Sequence, residues 1–238
     1  MLGSAAKILT AIGCFAMFGA LAGCSGELSV LSPASAGAAD AAALWWGMAI
    51  GFTAVFIAVV ALWVYAIRRP PTPLKPSAAR RQYQYWLISG GLVLPSIAIL
   101  LLLLFGIPAG HRMQLPAGHD DEPLQIEVTA RQWQWEVSYP DSGIELVNEI
   151  HLPAGKVAEI HLTSQDVIHS FWVPRLGGKL DVLPGRANVL RLKPDQAGTY
   201  RGQCAEFCGT GHTYMQFTVV VHETGAFEHW QERELSDD

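Results

Sequence analysis

The chain has 238 residues, of which 50% are hydrophobic and 16% are charged. This composition argues against a disordered tail, a collagen or a nucleic-acid-binding protein. Residues 1–107 carry a net charge of +4 and residues 108–238 a net charge of −9, so the second part should repel nucleic acid and attract basic proteins.

The N-terminus has the pattern of a secretory signal. Lys7 precedes an apolar run over residues 8–21, which ends in small residues. The tetrapeptide Leu21-Ala22-Gly23-Cys24 resembles the lipobox of bacterial lipoproteins, in which cleavage before the cysteine leaves a lipid-modified N-terminus. We therefore expect a signal peptide at residues 1–23, a lipidated Cys24 and a periplasmic segment at residues 24–41. Plain cleavage and an uncleaved helix are the alternatives.

Two long runs without Asp, Glu, Lys or Arg follow, at residues 41–67 and 82–111. Each exceeds the roughly 20 residues that a helix needs to cross a bilayer, which favours membrane spans over core helices of a soluble protein. We place the transmembrane helices at residues 42–67 and 85–108, each opening with aromatic residues typical of a membrane interface. The loop at residues 68–84 between them has five positive charges and no acid. By the positive-inside rule it is cytoplasmic, so both ends of the chain lie outside.

The remainder has the pattern of a β domain. After an expected linker at residues 109–123, short alternating runs are separated by Pro, Gly, Asp and Ser. These predicted strands are residues 124–129, 132–139, 149–152, 157–163, 187–192 and 214–221. Six short strands predict a β-sandwich or a Greek-key barrel over residues 124–224. Residues 225–238 are expected to form a terminal helix and tail.

One segment concentrates side chains that bind soft metals. Cys204, Cys208, His212 and Met215 lie within twelve residues, and His169 precedes Cys204 by 35 positions. Cys, His and Met together select soft metals, and a methionine ligand favours copper over zinc. A zinc site of two Cys and two His would leave Met215 without a role. A Cys204–Cys208 disulfide is the other alternative in an oxidising compartment.

The pattern Cys204-x-Glu206-x-Cys208-x3-His212-x2-Met215 resembles the binuclear copper A motif of cytochrome c oxidase subunit II. Residues 132–135, 166–171 and 178–186 and the two predicted spans resemble the same family, so the likeness covers about residues 42–230. It implies a cupredoxin-like Greek-key barrel attached to a hairpin of two transmembrane helices. It also implies two copper ions bridged by both cysteines.

The resemblance implies a role for each residue of the motif. His169 and Met215 would complete the ligands of one copper, and His212 and the backbone carbonyl of Glu206 those of the other. The Glu206 carboxylate would bind magnesium at the contact with subunit I. Trp133 would receive the electron. Trp135 fits a buried core position as well as it fits a part in electron transfer.

The implied function is electron transfer in a cytochrome-c oxidase of the bacterial inner membrane. Cytochrome c would donate the electron, subunit I would use it for oxygen reduction and proton pumping, and subunit III is a further expected partner. The chain has no CxxCH motif, so we expect the donor to be a separate protein. A membrane-anchored copper carrier or assembly protein and a copper-free quinol oxidase subunit II are the alternatives.

One position departs from the family. Its usual members carry a glutamate near the start of the second helix, seven residues before a proline, at the cytoplasmic mouth of a proton route into subunit I. If Pro95 is that proline, Ile88 stands in place of the acid. Because isoleucine cannot relay a proton, we expect subunit I to take protons through another entrance or from an acid of its own.

Overall fold

A computed structural model describes residues 25–70, 75–113 and 122–237. These residues form two compact units, one of residues 43–112 and the other of the segment before it together with residues 113–237. The predicted signal peptide and Cys24 lie outside the described residues.

The first unit contains nearly all of the apolar helices. They are α1 (Ala36–Arg68), α2 (Pro76–Ile88) and α3 (Leu94–Met113), and a π-helical turn at Ser89–Val93 joins α2 to α3. By length and composition, α1 and the continuous helix Pro76–Met113 could each cross a membrane, with mean hydropathies of 2.4 and 2.6 in their most apolar windows.

Both helices extend beyond the predicted spans. The α1 helix begins at Ala36, where the Ser35 hydroxyl accepts a hydrogen bond from the Ala38 N–H at 3.1 Å and donates one to the Leu176 carbonyl at 2.7 Å. The second helix begins at Pro76, within the predicted loop, and ends at Met113, within the predicted linker. Alanine, arginine and glutamine favour helix whether or not they lie in a membrane, so charge-free runs do not mark the helix ends.

The second unit is a β domain of two five-stranded sheets. The first sheet has the order β3-β2-β1-β5-β8 and the second the order β4-β10-β9-β6-β7. The strands are β1 (Leu124–Arg131), β2 (Gln134–Tyr139), β3 (Ile144–Val147), β4 (Glu149–Pro153), β5 (Ala158–Ser164), β6 (His169–Trp172), β7 (Leu180–Val182), β8 (Asn188–Leu192), β9 (Gly198–Cys204) and β10 (Gln216–His222). The terminal helix α4 (Ala226–Asp237) follows. The predicted combination of apolar helices and an all-β domain is confirmed.

Side chains from both sheets share one hydrophobic core. At its centre the Trp135 ring from β2 packs edge-on against Phe171 of β6, with ring centroids 5.4 Å apart, and against Phe217 of β10 at the same distance. Trp230 of α4 stacks on the His151 ring of β4 at 3.9 Å. The core thus fixes the strands that carry the candidate site, and α4 packs beside β4.

The segment before α1 packs on the β domain. The Ala34 N–H donates to the Arg175 carbonyl at 2.8 Å, and the Ala34 carbonyl accepts from the Asp195 N–H at 2.9 Å. The Arg175 guanidinium donates to the Ser32 carbonyl at 2.6 Å. Residues 32–35 are therefore part of the folded unit.

Candidate metal centre

Six potential metal donors converge at one end of the second sheet. The Sγ atoms of Cys204 and Cys208 lie 3.7 Å apart. Cys204 Sγ is 3.8 Å from His169 Nδ1 and 3.2 Å from the Glu206 carbonyl oxygen. Cys208 Sγ is 3.6 Å from His212 Nδ1 and 3.7 Å from Met215 Sδ. The two sulfurs thus occupy the middle of the cluster.

Neighbouring strands deliver these donors. His169 begins β6, Cys204 ends β9, and Met215 directly precedes β10. The pairing of β9 with β6 and β10 holds the strand ends side by side, since Phe171 lies opposite Cys204 and Gln203 lies opposite Gln216. The loop between β9 and β10 supplies the other three donors.

Asp166 orients the His169 ring. Its Oδ1 lies 2.8 Å from His169 Nε2, which leaves Nδ1 directed toward Cys204 Sγ. Burial alone would raise the pKa of Asp166, but hydrogen bonds from His169 and from the N–H groups of Gln132 and Val167 hold that pKa below its ordinary value. A carboxylate behind a histidine is a common means of orienting a metal ligand. The three-residue spacing from His169 was the one sequence signal for this role, which the sequence analysis did not assign.

The two cysteines are free and almost wholly buried. Their separation of 3.7 Å is far from the roughly 2.05 Å of a disulfide bond. Burial raises the pKa of the Cys208 thiol, and the neighbouring Cys204 raises it further. Two buried thiols side by side therefore become thiolates only if a cation balances their charge.

The donor set fits copper. Two sulfurs, two imidazole nitrogens, a thioether and a carbonyl oxygen form a soft set, and the thioether distinguishes it from an ordinary zinc site. Met215 is wholly buried within the cluster. In a zinc site built from Cys204, Cys208, His169 and His212, this thioether would have no function.

Trp133 lies beside the ligand loop, which is the segment of residues 205–215 between β9 and β10. Its side chain is 39% exposed, and its Nε1 donates a hydrogen bond to the Cys208 carbonyl at 3.3 Å. A Cβ atom on Gly211 would lie 2.3 Å from Trp133 Cδ2, so the indole rests directly on the loop backbone. Trp135, by contrast, is wholly buried in the core, with its ring centroid 6.1 Å from that of His169.

The rim of the site is apolar and exposed. Phe207 and Tyr214 on the ligand loop are 75% and 83% exposed. The Glu206 side chain is also exposed, so its carboxylate is available to a partner while its carbonyl faces Cys204. Its magnesium role stays a prediction.

The comparisons with known proteins agree with this geometry. The family described as cytochrome c oxidase subunit II, periplasmic domain, matches residues 142–223. Cytochrome c oxidase subunit 2 of Alkalihalophilus pseudofirmus is 35% identical over 142 residues, which cover 57% of this chain and 42% of that relative. The chain belongs to the cytochrome c oxidase subunit II family. Its β domain is accordingly cupredoxin-like, and the predicted family is confirmed.

Other relatives differ in the electron donor that their names state. Quinol oxidase subunit 2 of Bacillus cereus is 38% identical over 109 residues, which cover 46% of this chain and 38% of that relative.

The crystal structure of the periplasmic domain of cytochrome oxidase subunit II of Bradyrhizobium japonicum is 33% identical, covers 50% of this chain and 97% of its own, and has a TM-score of 0.47. The chain spans less than half the length of the two curated relatives.

Proposed function

We propose that this chain is the electron-accepting subunit II of a haem-copper cytochrome c oxidase. The observation that carries the proposal is the convergence of all six donors of the copper A pattern around two sulfurs 3.7 Å apart. Two coppers bridged by two thiolates would share one unpaired electron, which permits oxidation and reduction with little change in bond lengths.

The chain's own residues would hold that pair. Cys204 and Cys208 would bridge it, His169 and Met215 would complete one copper, and His212 and the Glu206 carbonyl would complete the other. His169 and Met215 are wholly buried and both cysteines nearly so, so the surrounding protein limits movement of the ligands. Such restraint favours fast electron transfer.

Electrons would enter through Trp133. It is the partly exposed indole that touches the ligand loop, and its hydrogen bond to the Cys208 carbonyl connects the protein surface to a bridging ligand. The electron donor of the chain would be a basic cytochrome c, because residues 108–238 carry a net charge of −9. The quinol oxidase relatives make a quinol the second candidate donor.

The remaining assignments follow from the same function. Subunit I, which reduces oxygen, and subunit III would be the partners, with the two apolar helices in a bacterial inner membrane and the β domain on the periplasmic side. Cys24 would carry a lipid, and the Glu206 carboxylate would bind magnesium shared with subunit I. With Ile88 in place of an acid, subunit I would take protons through another entrance or from an acid of its own.

Burial of the donors argues against a copper carrier. A carrier must exchange its metal with a partner, which requires accessible ligands. Here both cysteines, His169 and Met215 are buried, and His212 alone among the five predicted copper-ligand side chains has appreciable exposure. An enclosed site suits a resident metal.

The donor can be tested with the copper-loaded full chain in detergent. We expect reduced basic cytochrome c to reduce it rapidly and a soluble quinol at equal concentration to reduce it far more slowly. The Cys204→Ser variant is the control, since it lacks a bridging sulfur and should accept electrons from neither. Faster reduction by the quinol than by cytochrome c would replace this proposal with the quinol oxidase function.

A further inference from the structure

The two-residue turn between β1 and β2 contacts both segments that carry ligands. The backbone N–H of Gln132 donates to Asp166 Oδ2 at 2.7 Å, and its side-chain Nε2 donates to the Cys208 carbonyl at 2.8 Å. Asp166 and Cys208 lie 34 and 76 positions away in the sequence. One residue therefore connects two distant loops, and the electron-transfer function alone gives it no role.

On one side, the contact reaches a histidine ligand. The carboxylate that accepts from Gln132 through Oδ2 binds His169 Nε2 through Oδ1 at 2.8 Å, and the same Oδ1 accepts from the Val167 N–H at 2.6 Å. Each carboxylate oxygen thus has a fixed partner. The direction of the His169 ring is consequently linked to the position of the β1–β2 turn.

On the other side, the ligand loop lies flush against the turn. Gly209 has φ of +114°, and a Cβ atom there would lie 2.9 Å from Gln132 Nε2. Gly211 leaves no room for a Cβ atom beneath the Trp133 indole. Because the two glycines let the backbone approach this closely, the Gln132 amide can reach the Cys208 carbonyl.

We propose that Gln132 is a positioning residue that ties the segment carrying Asp166 and His169 to the ligand loop carrying Cys208. The donor atoms would then keep their spacing before a metal binds. The proposal rests on the proposed function only for the identity of the metal. Ligands held in place by their neighbours lose little freedom on binding and release the metal slowly.

The test compares Gln132→Met with Gln134→Met in the full chain in detergent. Gln132→Met keeps the length of the side chain and the backbone N–H but removes the donor to Cys208. Gln134 is the matched control, because it lies in the same hairpin and, among the described residues, its side-chain amide donates to the Glu136 carboxylate alone, at 3.1 Å. Gln132→Glu is a second variant, since its carboxylate oxygens cannot donate to a carbonyl.

Two measurements report on the tie. In the metal-free chain, we expect amide hydrogen exchange across residues 208–214 to accelerate about tenfold in Gln132→Met and not in Gln134→Met, while the amides of β5 and β10 keep their parent rates. In the copper-loaded chain, we expect release of copper to a chelator to accelerate by roughly tenfold. Gln132→Glu should show both changes.

Equal exchange and equal copper release in the two methionine variants would overturn the proposal. A uniform rise in exchange across the whole β domain would also overturn it, because that result means general destabilisation. If the parent chain bound no copper pair but its metal-free loop still loosened in Gln132→Met, the copper A function would fail and the tie would stand.

Discussion

At the scale of single residues, the two sulfurs and the thioether should behave differently. Cys208→Ser would remove a sulfur that bridges both coppers in the proposed centre, so we expect the mixed-valence copper signal to disappear. Met215→Leu keeps the volume of this buried side chain and would remove the thioether, a weak copper ligand. It should retain the signal and shift the reduction potential, as measured by electron paramagnetic resonance and redox titration. Persistence of the two-copper signal in Cys208→Ser would contradict the bridging role.

The Trp133 indole packs directly against Gly211 of the ligand loop. Because a Cβ at position 211 would lie 2.3 Å from Trp133 Cδ2, Gly211→Ala must displace the indole from the Cys208 carbonyl. We expect stopped-flow reduction by cytochrome c to slow several-fold, with the affinity for cytochrome c nearly unchanged. Trp133→Phe, which keeps a ring and lacks the N–H, should slow the same step. Normal rates in both variants would mean that electrons enter the chain at a residue other than Trp133.

The sequence predicted which residues could act as metal donors because their types and spacing carry the chemistry. It could not show which residues support them. The contacts of Gln132 with Asp166 and Cys208 depend on how β1, β6 and β9 come together, and nothing in the chain at residue 132 marks them. Asp166 offered only its distance of three residues from His169.

At the scale of elements, α4 rests on a pair of histidines. His151 Nδ1 lies 2.7 Å from His222 Nε2, and His151 Nε2 lies 2.8 Å from the Glu149 carboxylate. Burial lowers the pKa of both histidines. Glu149 and Glu234 partly offset this for His151, whereas the neighbouring His151 and Arg233 lower the pKa of His222 further. The folded β domain therefore resists protonation of this pair.

Stability should consequently fall in acid. Below the ordinary histidine pKa of about 6.5, the unfolded chain binds protons that the folded chain does not, so the free energy of unfolding decreases as the pH falls. We expect denaturant unfolding of the full chain in detergent to show this loss between about pH 7.5 and about pH 5. His222→Gln should reduce this loss of stability between the two pH values. His229→Gln changes an exposed position on α4 and should leave the loss within about 0.5 kcal/mol of that of the parent chain. A greater stability at the lower pH would contradict the role of the pair.

The strands show how far periodicity predicts the fold. The sequence prediction found β1, β2, β4, β5, β8 and β10 within a few residues and missed β3, β6, β7 and β9. Three of the missed strands have only three or four residues, and β6 is buried on both faces, so it shows no alternation. Two glycines and polar residues hide β9, whose sequence is GTYRGQC. Pairing with longer neighbours forms the three short strands, and pairing with β10 and β6 forms β9.

At the scale of the whole molecule, charge should govern the encounter with the donor. The net charge of −9 on residues 108–238 would attract a basic cytochrome c over a distance that salt shortens to about 8 Å at physiological ionic strength. We expect the bimolecular rate constant to fall at least about tenfold from low to physiological salt. The unimolecular transfer within the complex should not change. A bimolecular rate that rises with salt would indicate an acidic or neutral donor.

Two coppers bridged by Cys204 and Cys208 would share one unpaired electron. An electron paramagnetic resonance spectrum of the copper-loaded full chain, with copper and protein quantified in the same sample, tests this sharing most directly. Two coppers per chain and a seven-line hyperfine pattern are the predicted result, because one electron then couples equally to both nuclei. One copper per chain with a four-line pattern would contradict the claim.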